Sequence, residues 1–175
     1  LANRGLRILW MSNASWVPSG YGVQANSLIP RLLELPEVED VGCFFYYGIQ
    51  GGKTRQRIGV GQGITKLKWV DCYPLRSDAW GNDVIHDHAA DFRADVVISL
   101  LDIWVLADDY GGRGYRWVAY FPIDTQPVAP VVLRKIAKAY MPIVYSKFAR
   151  AECEKAGLEV EYVPHGVETR VYKPY

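Results

Sequence analysis

The sequence has few cysteines, so it does not have the composition of a protein held together by disulfide bonds. Its 175 residues include only three cysteines, Cys43, Cys72 and Cys153, which are odd in number and far apart in the chain. Secreted domains of this size that rely on disulfides carry more cysteines, in closely spaced sets. The three cysteines therefore predict free thiols in the core of a protein from a reducing compartment, and a cytoplasmic location is the simplest interpretation.

The sequence also lacks an excess of charge and a long apolar run. It has 20 basic and 19 acidic residues, so that neither nucleic acid nor a membrane surface is expected as a partner. The longest apolar run, 96–101, is far too short to cross a bilayer, and no signal peptide is recognisable, so we expect no integral membrane segment. Because half of the residues are hydrophobic, a disordered chain is excluded and one domain with a sizeable core is expected.

Histidines are as scarce as cysteines, and their positions do not favour a metal site. His86 and His88 are two residues apart in a predicted helix over 82–92, and side chains at that spacing point in different directions. We therefore interpret His88 as a packed histidine. No other histidine or cysteine cluster has the spacing of metal ligands, and no metal is predicted.

What the sequence does contain is an almost regular alternation of short apolar runs and helical patterns. Strands are predicted at 6–12, 41–47, 64–73, 95–101, 115–121, 142–145 and 160–163. Helices are predicted at 20–33, 82–92, 128–140 and 147–156. This order predicts an α/β fold, a Rossmann-like three-layer sandwich with a mostly parallel sheet of about seven strands.

Several finer expectations follow from single residues. Pro30 should kink or break the first helix near Asn26, and Asn82 should cap the second. Ser146 should cap the fourth helix, which should stop at Gly157. The inward faces of the last two helices are predicted to carry Leu133, Ile136, Ala137 and Tyr140, and Phe148, Ala149, Cys153 and Ala156.

The glycine-rich, basic segment 48–63 is open to two interpretations. It is either a mobile loop beside a site or a solvated hairpin-like loop. Its resemblance to a phosphate-binding Walker loop fails, because the first glycine is replaced by Tyr47 and the residues that follow cannot form a helix.

The loop after the first strand is the first candidate for a site. Ser19, Gly20, Tyr21 and Gly22 stand where the first helix begins, and small residues with free N–H groups there favour a phosphate or another anion. A dinucleotide fingerprint would need its first glycine directly after the strand, and it would need an acid where Tyr47 ends the next strand. A looser substrate loop is favoured, while glycines that only turn the chain remain the alternative.

Two acids form the second candidate. Asp102 follows the strand at 95–101 and Asp124 follows the strand at 115–121. Open parallel sheets bind ligands at the carboxyl ends of their strands, so we take both as candidate catalytic residues. The alternative for Asp102 is that it caps the turn that follows it.

The segment 163–174, Val-Pro-His-Gly-Val-Glu-Thr-Arg-Val-Tyr-Lys-Pro, is the most specific in the chain. It resembles the linker of two-domain GT-B glycosyltransferases, especially the retaining group 1 class (family 4), where the pattern is roughly P-[HN]-G-V-[DE]-T-x-x-[FY]-x-P. The segments 145–149 and 121–124 and the glycine loop are also similar to that family. The resemblance implies an acceptor-side, N-terminal domain at 1–163, the start of an interdomain linker at 164–175, and a C-terminal donor-binding domain absent from this chain.

The resemblance further implies a function: metal-independent transfer of a sugar from a nucleotide-sugar to a hydroxyl of a carbohydrate or glycoconjugate acceptor, with retention and without another cofactor. It places Gly20 and Gly22 near the donor phosphates and Asp102 where the family commonly has a histidine. Asp124 and Gln126 would face the acceptor, His165 and Gly166 would form the hinge, and Trp16, Tyr21 and Trp104 could stack on sugars. The isolated domain would be nearly inactive. A stand-alone Rossmann-like binding module, or a nicotinamide-dependent oxidoreductase, are the alternatives.

Overall fold

A computed structural model describes residues 4–59, 68–169 and 172–174. Within that part the chain forms eight strands, which are β1 Leu6–Asn13, β2 Val38–Tyr47, β3 Thr54–Ile58, β4 Lys68–Tyr73, β5 Val96–Leu100, β6 Arg116–Phe121, β7 Met141–Val144 and β8 Glu161–Tyr162. It also forms four α-helices, α1 Gly20–Leu32, α2 Ile85–Phe92, α3 Pro130–Ile136 and α4 Lys147–Lys155. A short 3-10 turn, Ile103–Val105, follows β5.

The eight strands form one sheet in the order β3-β4-β2-β1-β5-β6-β7-β8. Every neighbouring pair is parallel except β3 and β4, which are antiparallel at one edge. This confirms the predicted α/β fold with a mostly parallel sheet. Parallel strands run in the same direction, so their carboxyl ends lie at one edge of the sheet. We call this edge, with the loops that follow the strands there, the carboxyl edge.

The strand that the sequence did not predict is β3. It lies in the glycine-rich segment 48–63, and its sequence has too few apolar residues to show the apolar–polar alternation of a strand. Arg55 stands opposite Asp71 on β4, and its Nε lies 3.2 Å from the carboxylate. Of the two interpretations of this segment, the structure favours the hairpin-like one over 54–58, while 60–67 lie outside the described residues.

The buried residues of β1 explain why its sequence does not alternate. Leu9 and Met11 belong to a core cluster with residues of α2, while Ile8 and Trp10 belong to a second cluster with residues of α1. Successive side chains of a strand point to opposite faces, so β1 is covered on both sides. A strand buried on both faces reads as a continuous apolar run, as predicted.

Two expectations about helix boundaries are wrong. The helix α1 does not break near Asn26: it continues past Pro30, which lies in its last turn, to Leu32. Asn82 does not cap α2, which begins three residues later. Its side-chain amide instead accepts from the N–H of Ala107 at 2.7 Å and donates to the carbonyl of Val105 at 3.1 Å, so it ties the loop after β5 to the start of α2.

The predicted inward faces of the last two helices are partly wrong. Because α3 ends at Ile136, Ala137 and Tyr140 fall outside it and are exposed. Phe148 and Ala156 are also exposed, because the short helix α4 buries a narrower face than predicted, formed by Ala149, Glu152 and Cys153. Both predicted boundary signals of α4 are confirmed: the Ser146 hydroxyl accepts from the N–H of Ala149 at 3.0 Å, and Gly157 has a φ of +76°.

The three cysteines are free and buried, as predicted. Burial raises the pKa of the Cys43 thiol and raises that of Cys153 to about 11. Among the helices that the structure describes, none is both long and apolar enough to span a bilayer.

Candidate functional site at the carboxyl edge of the sheet

The loop between β1 and α1 is fixed by a capping network around Ser19. The Ser19 hydroxyl accepts from the N–H of Gly22 at 3.1 Å and from the side-chain amide of Asn13 at 2.8 Å. Ser19 is therefore the N-cap of α1, and its hydroxyl is engaged in holding the loop. Its contribution to a site is to orient the first N–H groups of the helix.

The two glycines of this loop differ in what surrounds them. A methyl group on Gly22 would lie 2.3 Å from the carbonyl oxygen of Val17, so Gly22 is required for the loop to pack against the helix. A methyl group on Gly20 would meet open space. Gly20 therefore leaves the positive end of α1 accessible, and an anionic group could approach the backbone there.

Tyr21 connects this loop to the end of β5. Its hydroxyl donates to Oδ2 of Asp102 at 3.3 Å. Burial raises the pKa of the Tyr21 phenol well above its usual value, and the nearby Tyr145 phenol and the Asp102 charge raise it further. Tyr21 is thus a neutral donor at neutral pH. Asp102 does not cap the 3-10 turn that follows it with its side chain, so the alternative interpretation of Asp102 is not supported.

Three aromatic side chains, Tyr120, Tyr145 and His165, join the end of β7 to the segment after β8, and we call them the aromatic group. The ring of His165 stacks on that of Tyr145, with centroids 4.0 Å apart and planes 26° apart, and meets the edge of Tyr120 at 5.4 Å. The Tyr120 hydroxyl donates to the carbonyl of Val163 at 2.8 Å. Burial lowers the pKa of His165 and raises that of Tyr120 to about 12, so both side chains are neutral at pH 7.

The segment 163–168 is also attached to α1. The amide nitrogen of Gln24 donates to the carbonyl of Gly166 at 3.1 Å, and the guanidinium of Arg31 lies 3.4 Å from the carboxylate of Glu168. Gln24 is only 8% exposed, and both its Oε1 and the Nε2 of His165 are buried without a hydrogen-bond partner among the described residues. Buried polar atoms without a hydrogen-bond partner are uncommon in proteins. Within the described ranges, the contact between α1 and segment 163–168 contains two of them, Gln24 Oε1 and His165 Nε2.

The remaining predicted site residues are less closely associated with this group. Asp124 is exposed, and the pKa of Tyr145 is raised mainly by burial and also by the charge of Asp124. The Gln126 amide donates to Oε1 of Glu152 on α4 at 3.2 Å. Trp104 is 57% exposed on the turn after Asp102, where its indole is available to a ligand.

The structure therefore brings together Tyr21, Asp102 and His165 through a residue that the sequence did not single out, Tyr145. Burial is the main reason that the Tyr145 pKa is raised, and the charge of Asp102 raises it as well. Tyr145 directly follows β7, so the rule that selected Asp102, a polar group just after a parallel strand, would have found it. Its residue type gave no further signal, because tyrosines often contribute to a core.

The two histidines in the middle of the chain are packed apart from each other. The Nε2 of His88 lies 2.8 Å from the carbonyl of Pro74, and its ring lies against Phe44 and Tyr73. His86 is stacked on Tyr115. Among the described residues, no group of three or more histidines, cysteines and acids is arranged to hold a metal ion.

Comparison of the chain with protein-family models and with curated protein sequences gave no match. The arrangement at the carboxyl edge is therefore interpreted from its own chemistry. It combines an accessible helix N-terminus, neutral phenols, a neutral imidazole and the carboxylate of Asp102. All of these groups can hydrogen-bond to phosphates and to hydroxyl-rich ligands.

Proposed function

We propose that this chain is the acceptor-side domain of a metal-independent GT-B glycosyltransferase, built as a three-layer Rossmann-like sandwich. The observation that carries the proposal is the contact chain from Tyr21 to Asp102 and Tyr145 and on to His165. It places the glycine loop next to the segment whose sequence resembles the interdomain linker of that family. These are the two parts of such a domain that would border a cleft between domains.

In this proposal the first turn of α1 receives the donor diphosphate. Gly20 is open and the helix N-terminus carries a partial positive charge, which favours a phosphate oxygen near the N–H groups of Gly20 and Tyr21. The net charge of the chain is only +1, so recognition of the anion would rest on this local field and on a partner domain rather than on a basic surface.

Asp102 is the proposed catalytic group closest to the transferred sugar, and Asp124 is the second candidate. The hydrogen bond from Tyr21 holds the Asp102 carboxylate at the carboxyl edge. A carboxylate there accepts hydrogen bonds from sugar hydroxyls and orients the acceptor hydroxyl for attack. In a retaining transfer of the kind implied by the resemblance, the donor phosphate assists this attack and no protein nucleophile is required.

The segment from residue 164 onward is proposed as the beginning of a linker to a donor-binding domain. Its first residues are held by Gln24 and by the stack of His165 on Tyr145, so that the linker would leave the domain beside the site. The hinge proposed at His165 and Gly166 would then couple the movement of a second domain to the aromatic group.

Calorimetric titration of residues 1–175 with UDP-, GDP- and ADP-sugars tests this division of labour. We expect weak binding, with Kd at or above about 1 mM, because most donor contacts would come from the second domain. Gly20→Ala should weaken that binding further, since its methyl group occupies the approach to the helix. Gly52→Ala, which also adds a methyl group in open space, should not. Micromolar binding by this chain alone, or equal effects of both substitutions, would overturn the proposal.

A further inference from the structure

A cavity of about 560 Å³ lies beyond the carboxyl ends of β2 and β4, lined by residues 46–51 and 74–76. We call it the β2–β4 cavity. Its volume falls in the range of roughly 300–1,000 Å³ that is common for small-ligand sites. None of the contacts that carry the proposed donor and catalytic roles lies in it, so the cavity is a part of the carboxyl edge without an assigned role.

The side chains of the cavity offer aromatic, aliphatic and amide surface. The ring of Tyr47 is 62% exposed, and Ile49 and Leu75 add aliphatic surface. Gln50 supplies an amide, and exposed backbone around Gly51 supplies N–H and C=O groups. An accessible aromatic ring beside uncharged hydrogen-bonding groups suits a sugar, whose ring has apolar C–H faces and a polar periphery.

The only ionised group among the lining residues is already neutralised. The guanidinium of Arg76 lies 2.7 Å from the carboxylate of Asp87 and donates to the carbonyl of Asp83 at 3.1 Å. The other residues at 46–51 and 74–76 include no acid, lysine or histidine. The cavity therefore has no unpaired cation for a phosphate or a carboxylate, and its chemistry favours a neutral ligand.

Tyr46 connects the cavity to the part of the core that flanks Asp102, because it shares a core cluster with Leu101 and Ile103. It lines the cavity, is largely buried, and has its pKa raised first by burial and then by the charge of Asp102. The loop beyond it is fastened to the glycine loop, because the indole N–H of Trp16 donates to the carbonyl of Gly48 at 2.8 Å. A ligand in the cavity would thus lie at the same edge of the sheet as the carboxylate to which Tyr21 donates.

We propose that the β2–β4 cavity binds a neutral saccharide, with one sugar ring against Tyr47 and its hydroxyls on Gln50 and the adjacent backbone. This inference rests on the proposed function and specifies it: the acceptor is an uncharged saccharide.

Titration of the ¹⁵N-labelled chain with maltose, cellobiose and lactose, followed by amide chemical shifts, tests the inference. Glucose 1-phosphate and glucuronate serve as charged counterparts. The neutral disaccharides should shift the amides of residues 46–51 and 75–76, with millimolar affinity, and the charged sugars should bind there at least tenfold more weakly. Tyr47→Ala should weaken binding about tenfold, whereas Tyr140→Ala, which removes another exposed ring, should have no effect.

The outcomes separate this inference from the proposed function. If charged sugars bind the cavity as well as neutral ones do, or if Tyr47→Ala has no effect, the inference is overturned. If no saccharide shifts residues 46–51 while a nucleotide-sugar still shifts Gly20 and Tyr21, the inference falls and the proposed function stands. If neither class of ligand perturbs the carboxyl edge, both fall. Because Tyr47 is exposed, its substitution should leave the fold intact, which the amide spectrum itself reports.

Discussion

At the scale of single residues, Tyr21 has the largest share in organising the site. It stands in the first turn of α1, donates to Asp102 and lies beside Tyr145. Its phenol is therefore the link between the glycine loop, the end of β5 and the end of β7. Removing its hydroxyl should loosen these contacts without creating a cavity, which makes Tyr21→Phe an informative substitution.

We expect Tyr21→Phe to lower the free energy of unfolding by about 1 kcal/mol, because a hydrogen bond to a carboxylate is lost and Asp102 remains partly accessible to water. Urea denaturation measures the change. Tyr140→Phe is the matched control, because Tyr140 is 59% exposed, and its effect should stay within about 0.5 kcal/mol. Equal stability of the two variants would show that the hydroxyl of Tyr21 does not organise the site.

His165 predicts a dependence of stability on pH. Burial lowers its pKa in the folded state below the usual 6.5, so the unfolded chain binds more protons near pH 6. The neutral imidazole thus contributes stability that is complete above about pH 6.5 and declines as the pH falls below that value. The Cε1–H resonance of His165 should titrate with a midpoint below 6.5, and His165→Gln should reduce the loss of stability on acidification from pH 7.5 to 5.5. A midpoint above 6.5 would contradict this account.

At the scale of elements, the N-terminus of α1 is the part of the site whose geometry is most constrained. Ser19 orients the first turn, and Gly22 allows the loop to pass close to the helix. Two glycines separated by one residue therefore have different roles, one in packing and one in leaving space. The sequence pattern alone could not distinguish the two glycines, because the difference lies in the atoms around Gly22, chiefly the carbonyl oxygens of Ala14 and Val17.

This difference predicts opposite outcomes for the same substitution. Gly22→Ala should lower the free energy of unfolding by more than about 2 kcal/mol, because its methyl group would lie 2.3 Å from the carbonyl oxygen of Val17 and the backbone must move. Gly20→Ala should be neutral or slightly stabilising, since alanine restricts the unfolded chain and its methyl group meets no atom. Thermal unfolding of the two variants gives the comparison, and similar melting temperatures would refute the assigned roles.

The sequence predicted the central elements better than the peripheral ones. The strands β1, β5 and β6 were predicted nearly to their ends because strands buried on both faces have continuous apolar sequences. The edge strand β3 was missed because a strand exposed on one side can carry charges at alternate positions, as at Arg55 and Arg57. The inward faces of α3 and α4 were partly wrong because the width of a buried helix face depends on the neighbouring elements.

The site was predictable to a similar extent. Strand ends in a parallel sheet share an edge, so Asp102 and the glycine loop could be expected near each other before any distance was known. The partner of Gln126 on α4 and the stack of His165 on Tyr145 depend on tertiary contacts between residues 20 or more positions apart. No local pattern contains that information.

At the scale of the whole molecule, the central claim is that one edge of the sheet collects the glycine loop, the acids and segment 163–168 into a single ligand-binding surface. The other edge of the sheet, where the parallel strands begin, carries an acid that can be compared with Asp102. Asp40, at the start of β2, lies there and pairs with Arg7 at 3.6 Å, so it is not positioned to hold a nucleotide ribose at the end of β2. That placement disfavours the nicotinamide-dependent alternative.

The most direct test is to map, by amide chemical shifts, where a millimolar nucleotide-sugar meets this chain. The account predicts that residues 19–22, 102–104 and 165–166 shift together with one apparent affinity, while residues 4–6, 39–40 and 112–116 at the opposite edge do not shift. Perturbations confined to the opposite edge, or shifts of the glycine loop without Asp102 and His165, would contradict the account.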